Sequence, residues 1–266
     1  MGPSAGTKFS IVTPSFNQAA FIGRTLQSVR DQQVTGLVEH IVIDGGSADG
    51  TVEILKQQGD SIRMVSEPDQ GMADALNKGF ALGAGDIIGW LNSDDLYLPG
   101  TLQKVEHWFD SHPQTLWLYG HCHIVDEHGR EIRKWITAYK RRSARKYSYN
   151  RLLGENFISQ PAVFFRRTAI LAAGPLDLTL PTAMDYDLWL RFAKLGEPGF
   201  IDDDLACFRV HPDSISSRGY KGQFEEQYRI HQRYDRNRWR LLKHRIKNSF
   251  IVTIYSLMQK IRGSKS

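Results

Sequence analysis

Cysteine is scarce: Cys122 and Cys207 are the only two in 266 residues, and they lie far apart. They cannot form a disulfide framework or a cysteine-based metal site, so a reducing, cytoplasmic setting is expected. Long apolar runs are missing too. No stretch of about eighteen consecutive apolar residues occurs, which excludes a bilayer-spanning helix from the expectation. The opening MGPSAGTKFS has neither a basic region nor an apolar core and does not read as a secretory leader. Internal repeats and low-complexity tracts are absent. So are a phosphate-binding G-x-x-x-x-G-K-[ST] loop, a dinucleotide G-x-G-x-x-G fingerprint and a serine nucleophile elbow.

Acidic charge is missing from one end only. Residues 236–266 carry nine Lys and Arg and no Asp or Glu, whereas the whole chain has 34 basic and 29 acidic groups. The remainder therefore holds 25 basic against 29 acidic groups, so the net +5 describes an appendage on a mildly acidic body. That body, and aromatics that form no stacking platform, argue against nucleic acid as a partner.

What is present is alternation. FSIVT (9–13), EHIVID (39–44), IRMVS (62–66) and DIIGWL (86–91) read as strands. Between them, Phe21, Ile22, Leu26 and Val29, then Thr51 to Leu55, then GMADALNKGFALG read as helices. Such alternation implies right-handed crossovers and a parallel sheet covered on both faces. Further on, TLQKVEHWF and MDYDLWLRFAKLG read as helices, and LWLYGHCHIV, QPAVFFRR and LACFRV as strands. The basic stretch Tyr139–Ser148 reads as a loop. Each of the first four strands ends in polar residues: PSFN, DGGSADG, EPDQG and NSDD. Ligands collect beyond the carboxyl ends of parallel strands, so four such ends in succession point to a site. The adjacent carboxylates Asp94 and Asp95 imply a cation nearby, since like charges at the end of a buried strand repel.

Taken together, SIVTPSFNQAAFIGRTLQSV, HIVIDGGSADGTVEIL, SEPDQGMADALNKGFALGAGDIIGWLNSDD, QPAVFFRR, MDYDLWLRFA and RVHPDSIS resemble, in order, the family 2 glycosyltransferases. The likeness is to bacterial members that build surface polysaccharides. It implies the α/β GT-A fold, a Rossmann-like, mainly parallel mixed sheet with helices on both faces, followed by a C-terminal helical extension. The catalytic domain is expected over 1–218, with a nucleotide-binding part at about 8–95 and an acceptor part at about 96–218; the basic extension is expected over 219–266.

The resemblance also implies roles. Asp185 matches the general base that deprotonates an acceptor hydroxyl in inverting members, with Met184 in place of the preceding acid. Pro14, Phe16, Asn17, Asp44, Asp69, Gly71, Asn92 and Ser93 match nucleotide-sugar-binding positions. Asn92 stands where the family's Asp-x-Asp has its first carboxylate, keeping an acceptor oxygen without the charge. Asp94 and His211 match ligands of Mn²⁺ or Mg²⁺. Asp95, Arg209, Ser214 and Arg218 are secondary candidates near metal or phosphate. Structural readings stand beside these: Asp44 as a turn residue, Asp95 as a cap for the next helix, Asp185 as a complement to a helix dipole.

The expected activity is metal-dependent, inverting transfer from a nucleotide-diphosphate sugar, UDP by preference, to a hydroxyl of a glycan or lipid-linked acceptor. Two alternatives remain: transfer to polyprenyl phosphate, and a non-catalytic nucleotide-sugar-binding subunit. Ile246, Phe250, Ile254, Leu257, Met258 and Ile261 form an apolar stripe flanked by basic residues. That stripe suits the cytoplasmic face of a membrane, the catalytic domain or another subunit, so a peripheral membrane location and a homo-oligomer both stay open.

Overall fold

The computed structural model describes residues 7–212, 214 and 220–235. β1 (Thr7–Ser15), β2 (Leu37–Asp44), β3 (Arg63–Ser66) and β4 (Ile87–Trp90) alternate with α1 (Ile22–Arg30), α2 (Thr51–Lys56) and α3 (Met72–Leu82). β1 lies between β2 and β4, β3 flanks β2, and all of these pairings are parallel. Ile11, Val12, Ile41, Val42, Ile43, Ile87 and Ile88 are all buried, as expected of parallel strands covered on both faces.

The second half adds β5 (Leu96–Tyr97), α4 (Thr101–Ser111), β6 (Trp117–Val125), α5 (Lys134–Ala144), α6 (Tyr149–Gly154), β7 (Val163–Arg166), α7 (Arg167–Ala173), α8 (Met184–Leu195), β8 (Gly199–Arg209) and α9 (Tyr220–Tyr234). The eight strands lie in one sheet, in the order β3-β2-β1-β4-β7-β6-β8-β5. β7 runs antiparallel to both β4 and β6, so the parallel half ends at β4. One face of the sheet packs under α3 and α8, where Trp117 and Trp189 stack at 6.1 Å with Phe165 and Phe192 around them. The other face packs under α4 through Phe9, Ile11, Leu102, Val105 and Phe109.

The loop expected over Tyr139–Ser148 is instead largely helix, because α5 runs to Ala144. Its basic residues are not simply solvated. Arg141 bonds Asp204 and Arg145 bonds Asp202, while Thr137, Ser143 and Ala144 turn into the body. The same pairings explain the unexpected first half of β8, GFIDDD. Aspartate is a poor strand former, but here Asp202 also meets His121 at 2.7 Å and Asp203 meets Lys104 at 2.7 Å.

α9 closes against α8. Ile230 is fully buried, Tyr234 Oη donates to Asp187 Oδ1 at 2.9 Å, and Arg233 pairs with Asp177 at 2.7 Å. The apolar stripe 246–261 and its flanking bases lie outside the described residues.

Candidate active site

The carboxyl ends of the parallel strands open onto one cavity of about 830 Å³. The loop after β1 supplies Phe16, Asn17 and Gln18; the loop after β2, Gly45; the segment after β3, Asp69 and Gly71; and the end of β4, Asn92, Ser93 and Asp94. The far wall comes from elsewhere: Gln160 ahead of β7, Thr182, Met184 and Asp185 at the start of α8, Phe208 of β8, Ser214, and Gln223 of α9.

Local bonds shape the near wall. Asn17 sits at φ +53°, a conformation its short polar side chain tolerates, and its Oδ1 accepts from Ala48 N at 3.0 Å. Asp69 Oδ1 accepts from Gly71 N at 2.8 Å, and Gly71 has φ +104°, which favours glycine. Gly45 is a close approach: a Cβ there would lie 2.7 Å from Asp69 Oδ2. Phe16 is 60% exposed, an aromatic ring left open at the mouth of the cavity.

Asp44 departs from its expected place. It is fully buried and does not line the cavity. Its Oδ2 accepts from Gly46 N, Ser47 N and Ser66 Oγ, and its Oδ1 from Ser47 Oγ. With four donors on one carboxylate, Asp44 acts on the shape of the loop that presents Gly45.

At the end of β4, the two neighbouring carboxylates separate. Asp94 lines the cavity, whereas Asp95 is fully buried. Asp95 Oδ1 accepts from Arg209 N at 2.9 Å and its Oδ2 from Asn92 Nδ2 at 3.2 Å. Burial first, and then the charge of Asp94, push its carboxyl well above the ordinary range. Asp95 does not cap the following helix, since α4 begins after Gly100. Asn92 is held on every side: its Oδ1 accepts from Trp90 Nε1 at 2.7 Å, and its Nδ2 also reaches Gln160 Oε1 at 3.0 Å. An amide suits that position, because it donates to a carboxylate where a third acid would repel.

Asp94 Oδ2 and His211 Nε2 meet at 3.0 Å across 117 positions of sequence. His211 stands behind Asp94, packed on the Phe21 ring at 4.4 Å, and is not itself in the cavity wall. The two side chains are hydrogen-bonded to each other, and a carboxylate and an imidazole are donor types that Mn²⁺ accepts. Among the described residues no group of three His, Cys, Asp or Glu could hold an ion. Asp94, with His211 behind it, would hold an ion only together with ligands supplied by a substrate such as a diphosphate.

Arg209, expected near phosphate, is instead buried. Its Nε donates to the Asp94 carbonyl at 2.8 Å and its Nη1 to the Glu127 carbonyl at 3.2 Å, and its guanidinium lies 5.0 Å from the Phe21 ring. It fixes the backbone that carries Asp94. Ser214 lines the cavity, with its hydroxyl donating to the His211 carbonyl at 2.9 Å. Arg218 lies outside the described residues.

Asp185 occupies the first turn of α8, where Asp187 is also acidic. Its Oδ1 accepts from Tyr186 N at 2.7 Å and its Oδ2 from Asn156 Nδ2 at 3.3 Å. Desolvation raises its carboxyl above the ordinary range, opposed by the Tyr186 amide, Lys140 and Asn156. The sequence reading did not include Ser15, Gln18, Gln160, Thr182, Phe208 or Gln223, all of which line the cavity. Ser15 Oγ, Gln18 Oε1 and Thr182 Oγ1 are buried without a hydrogen-bond partner, as expected where a polar ligand supplies the missing bonds. Ser15 lies within the polar strand end PSFN and Gln18 directly follows it, which is the available signal; Gln223 has none.

Among known proteins, the model of glycosyl transferase family 2 matches residues 10–172. A glycosyltransferase of Mycobacterium tuberculosis is 35% identical over 193 residues, 71% of this chain and 70% of that protein. A PGL/p-HBAD biosynthesis glycosyltransferase of Mycobacterium bovis is 30% identical over 192 residues, 70% of each. The crystal structure of Staphylococcus aureus TarS with UDP-GlcNAc superposes with a TM-score of 0.68 at 18% identity, over 84% of this chain and 65% of that one. The mannosyltransferase PcManGT of Pyrobaculum calidifontis, with GDP-Man and Mn²⁺, gives 0.64 at 16% identity, over 96% and 81%. At such identities the likeness shows the fold, GT-A, and the fold alone.

Proposed function

The chain belongs to glycosyl transferase family 2, and from that premise we propose that it transfers a sugar, with inversion, from a UDP-sugar to a hydroxyl of a glycan or lipid-linked acceptor, with Mn²⁺ or Mg²⁺ bound. The observation that carries this reading is that Asp94, beside Asp69 and Phe16, and Asp185, far away in sequence on the opposite wall, line one cavity.

Phe16 offers a face for a nucleobase, and Asp69 accepts from an imide N–H such as that of uracil. Ser93 and the orphaned hydroxyl of Ser15 supply polar contacts along the donor. Asp94, with His211 bonded behind it, would hold the metal, whose positive charge would offset the charge gained by the leaving diphosphate. On the opposite wall, Asp185 removes the proton from the acceptor hydroxyl as its oxygen bonds to the anomeric carbon. The bond from that carbon to the diphosphate breaks on the other face, which inverts the centre. The raised carboxyl of Asp185 suits a base, since proton transfer is most effective near the working pH. Membrane attachment rests on residues 246–261 alone; among the described residues, no helix is long and apolar enough to cross a bilayer.

A thermal-shift panel of UDP, dTDP and GDP, each with and without Mn²⁺, tests the reading. Binding raises the melting temperature by mass action. UDP is expected to give the largest rise, dependent on Mn²⁺ and losing that dependence in Asp94→Asn. A chain that none of the three nucleotides stabilises would not be this enzyme.

A further inference from the structure

Next to the main cavity lies a second chamber of about 190 Å³, sharing with it the walls at Gln160, Asp185, Phe208 and Gln223. One water needs roughly 10–15 Å³, so the chamber has room for a substituent of several atoms. α5 forms one side of it with Ile136 and Lys140, preceded by Arg133, and α9 adds Gln227. Ile124 and Ile158 contribute apolar surface.

Lys140 is a cation in this wall, and among the described residues Asp185 is the one carboxylate that lines the space. Lys140 Nζ has a single hydrogen bond among the described residues, to Ser159 Oγ at 3.3 Å, and no carboxylate there lies within ion-pair distance of it. Desolvation pulls its pKa down, opposed only from farther off by Cys122, Asp185 and Glu155. An enclosed ammonium without a counter-ion is costly. Asn156, which donates to Asp185, leaves its Oδ1 buried and unpartnered beside the same space. Arg133 sits at φ +53°, a strained conformation of the kind that clusters at ligand sites.

We propose that this chamber is an acceptor subsite for a sugar carrying an oxyanion, a carboxylate or a phosphate ester, with Lys140 as its counter-ion. The proposal rests on reading Asp185 as the base that faces the acceptor. The anion sits against Lys140, Asn156 Oδ1 accepts from a hydroxyl of the same sugar, and the isoleucines cover C–H surface. A second hydroxyl at the junction with the main cavity then reaches Asp185. The chamber thus selects for charge on the acceptor, at a distance from the bond that forms.

Saturation-transfer NMR on the full chain, with UDP and diamagnetic Mg²⁺ present, tests this with three probes: methyl glucuronide, methyl glucoside 6-phosphate and methyl glucoside. One of the anionic probes is expected to bind at least tenfold more tightly than the neutral one, and which of the two does so names the oxyanion. Lys140→Met abolishes the preference, and Lys140→Arg keeps it. The UDP signal persists in both variants, which reports an intact fold and an intact donor site. Equal transfer to all three sugars, transfer to none of them, or a preference that survives Lys140→Met overturns the subsite. Loss of the UDP signal from the unmodified chain would instead overturn the donor reading.

Discussion

The donor side and the acceptor side of the cavity are built in different ways. On the donor side, residues 14–94 follow four consecutive parallel strands, and short-range bonds set their loops: Asp44 to Gly46 and Ser47, Asp69 to Gly71. On the acceptor side, Lys140, Gln160, Asp185 and Gln223 come from separate elements and are held over long distances in sequence. Gln160 donates to the Trp90 carbonyl at 2.6 Å, and Glu226 on α9 accepts from Thr182 N and Ala183 N at the start of α8. On the proposed reading, loop shape would govern donor recognition, and packing between distant elements would govern the acceptor. The two functions should be separable by mutation.

The largest separation is expected from Asp185→Asn. Removing a positioned base costs about 10²–10⁴-fold in turnover, while UDP binding, measured by calorimetry, stays within twofold. If the acceptor were an already ionised polyprenyl phosphate, the variant would keep its activity, and the division between the two walls would lose its catalytic meaning. The pH profile sharpens the test. Asp185 works deprotonated and its carboxyl is raised by desolvation, so kcat/KM should fall on acidification at a pH above the ordinary aspartate value of about 3.9. The sign for stability is opposite. A raised folded pKa means that the contribution of this group is full below about 3.9 and is lost as pH rises through the folded value. Asp185→Asn should therefore melt no lower than the parent chain at pH 7.

Gly45→Ala probes the donor wall alone. Its Cβ would meet the Asp69 carboxylate at 2.7 Å. That carboxylate ends a short, movable side chain, so it shifts out of place and the backbone does not break. Losing one hydrogen bond to a charged group costs about 1.5–3 kcal/mol, which corresponds to UDP binding weakened roughly tenfold to a hundredfold, with an unchanged response to acceptor. Unaltered UDP affinity would remove Asp69 from the base site.

The same contrast accounts for what could be read in advance. β1 to β4 and the polar residues at their ends were legible because each lies within a few residues of an apolar run with a clear period. Asp185 was legible through its acidic first turn and the family resemblance. Asp44 was misplaced because a carboxylate facing a ligand and one tying its own turn look identical in DGGS; only the donors Gly46, Ser47 and Ser66 distinguish them. Likewise Arg209 reads as a phosphate contact until its bonds to the Asp94 and Glu127 carbonyls are seen. α5 and the start of β8 were hidden because each carries charges that look solvated alone and become half-buried ion pairs together. Lys140, Gln160 and Gln223 carry no local signal, since their meaning lies in which distant elements they approach.

Glu226→Ala is the mildest test, and it acts on the long-range ties of the acceptor wall. Glu226 is buried, and its Oε2 takes the amides of Thr182 and Ala183 at 2.9 and 3.0 Å, where α8 has no cap of its own. Leaving buried donors unmade costs about 1–3 kcal/mol, so with roughly 2–4 °C per kcal/mol for a chain of this size a melting temperature about 2–12 °C lower is expected. UDP affinity should stay within twofold, because Glu226 bonds the start of α8, whereas KM for acceptor should rise as the α8 terminus carrying Asp185 loosens. Glu226→Gln keeps an acceptor oxygen and should recover most of the stability. A parallel loss of UDP affinity would mean that α9 braces both walls and that the two sides of the cavity are coupled through it.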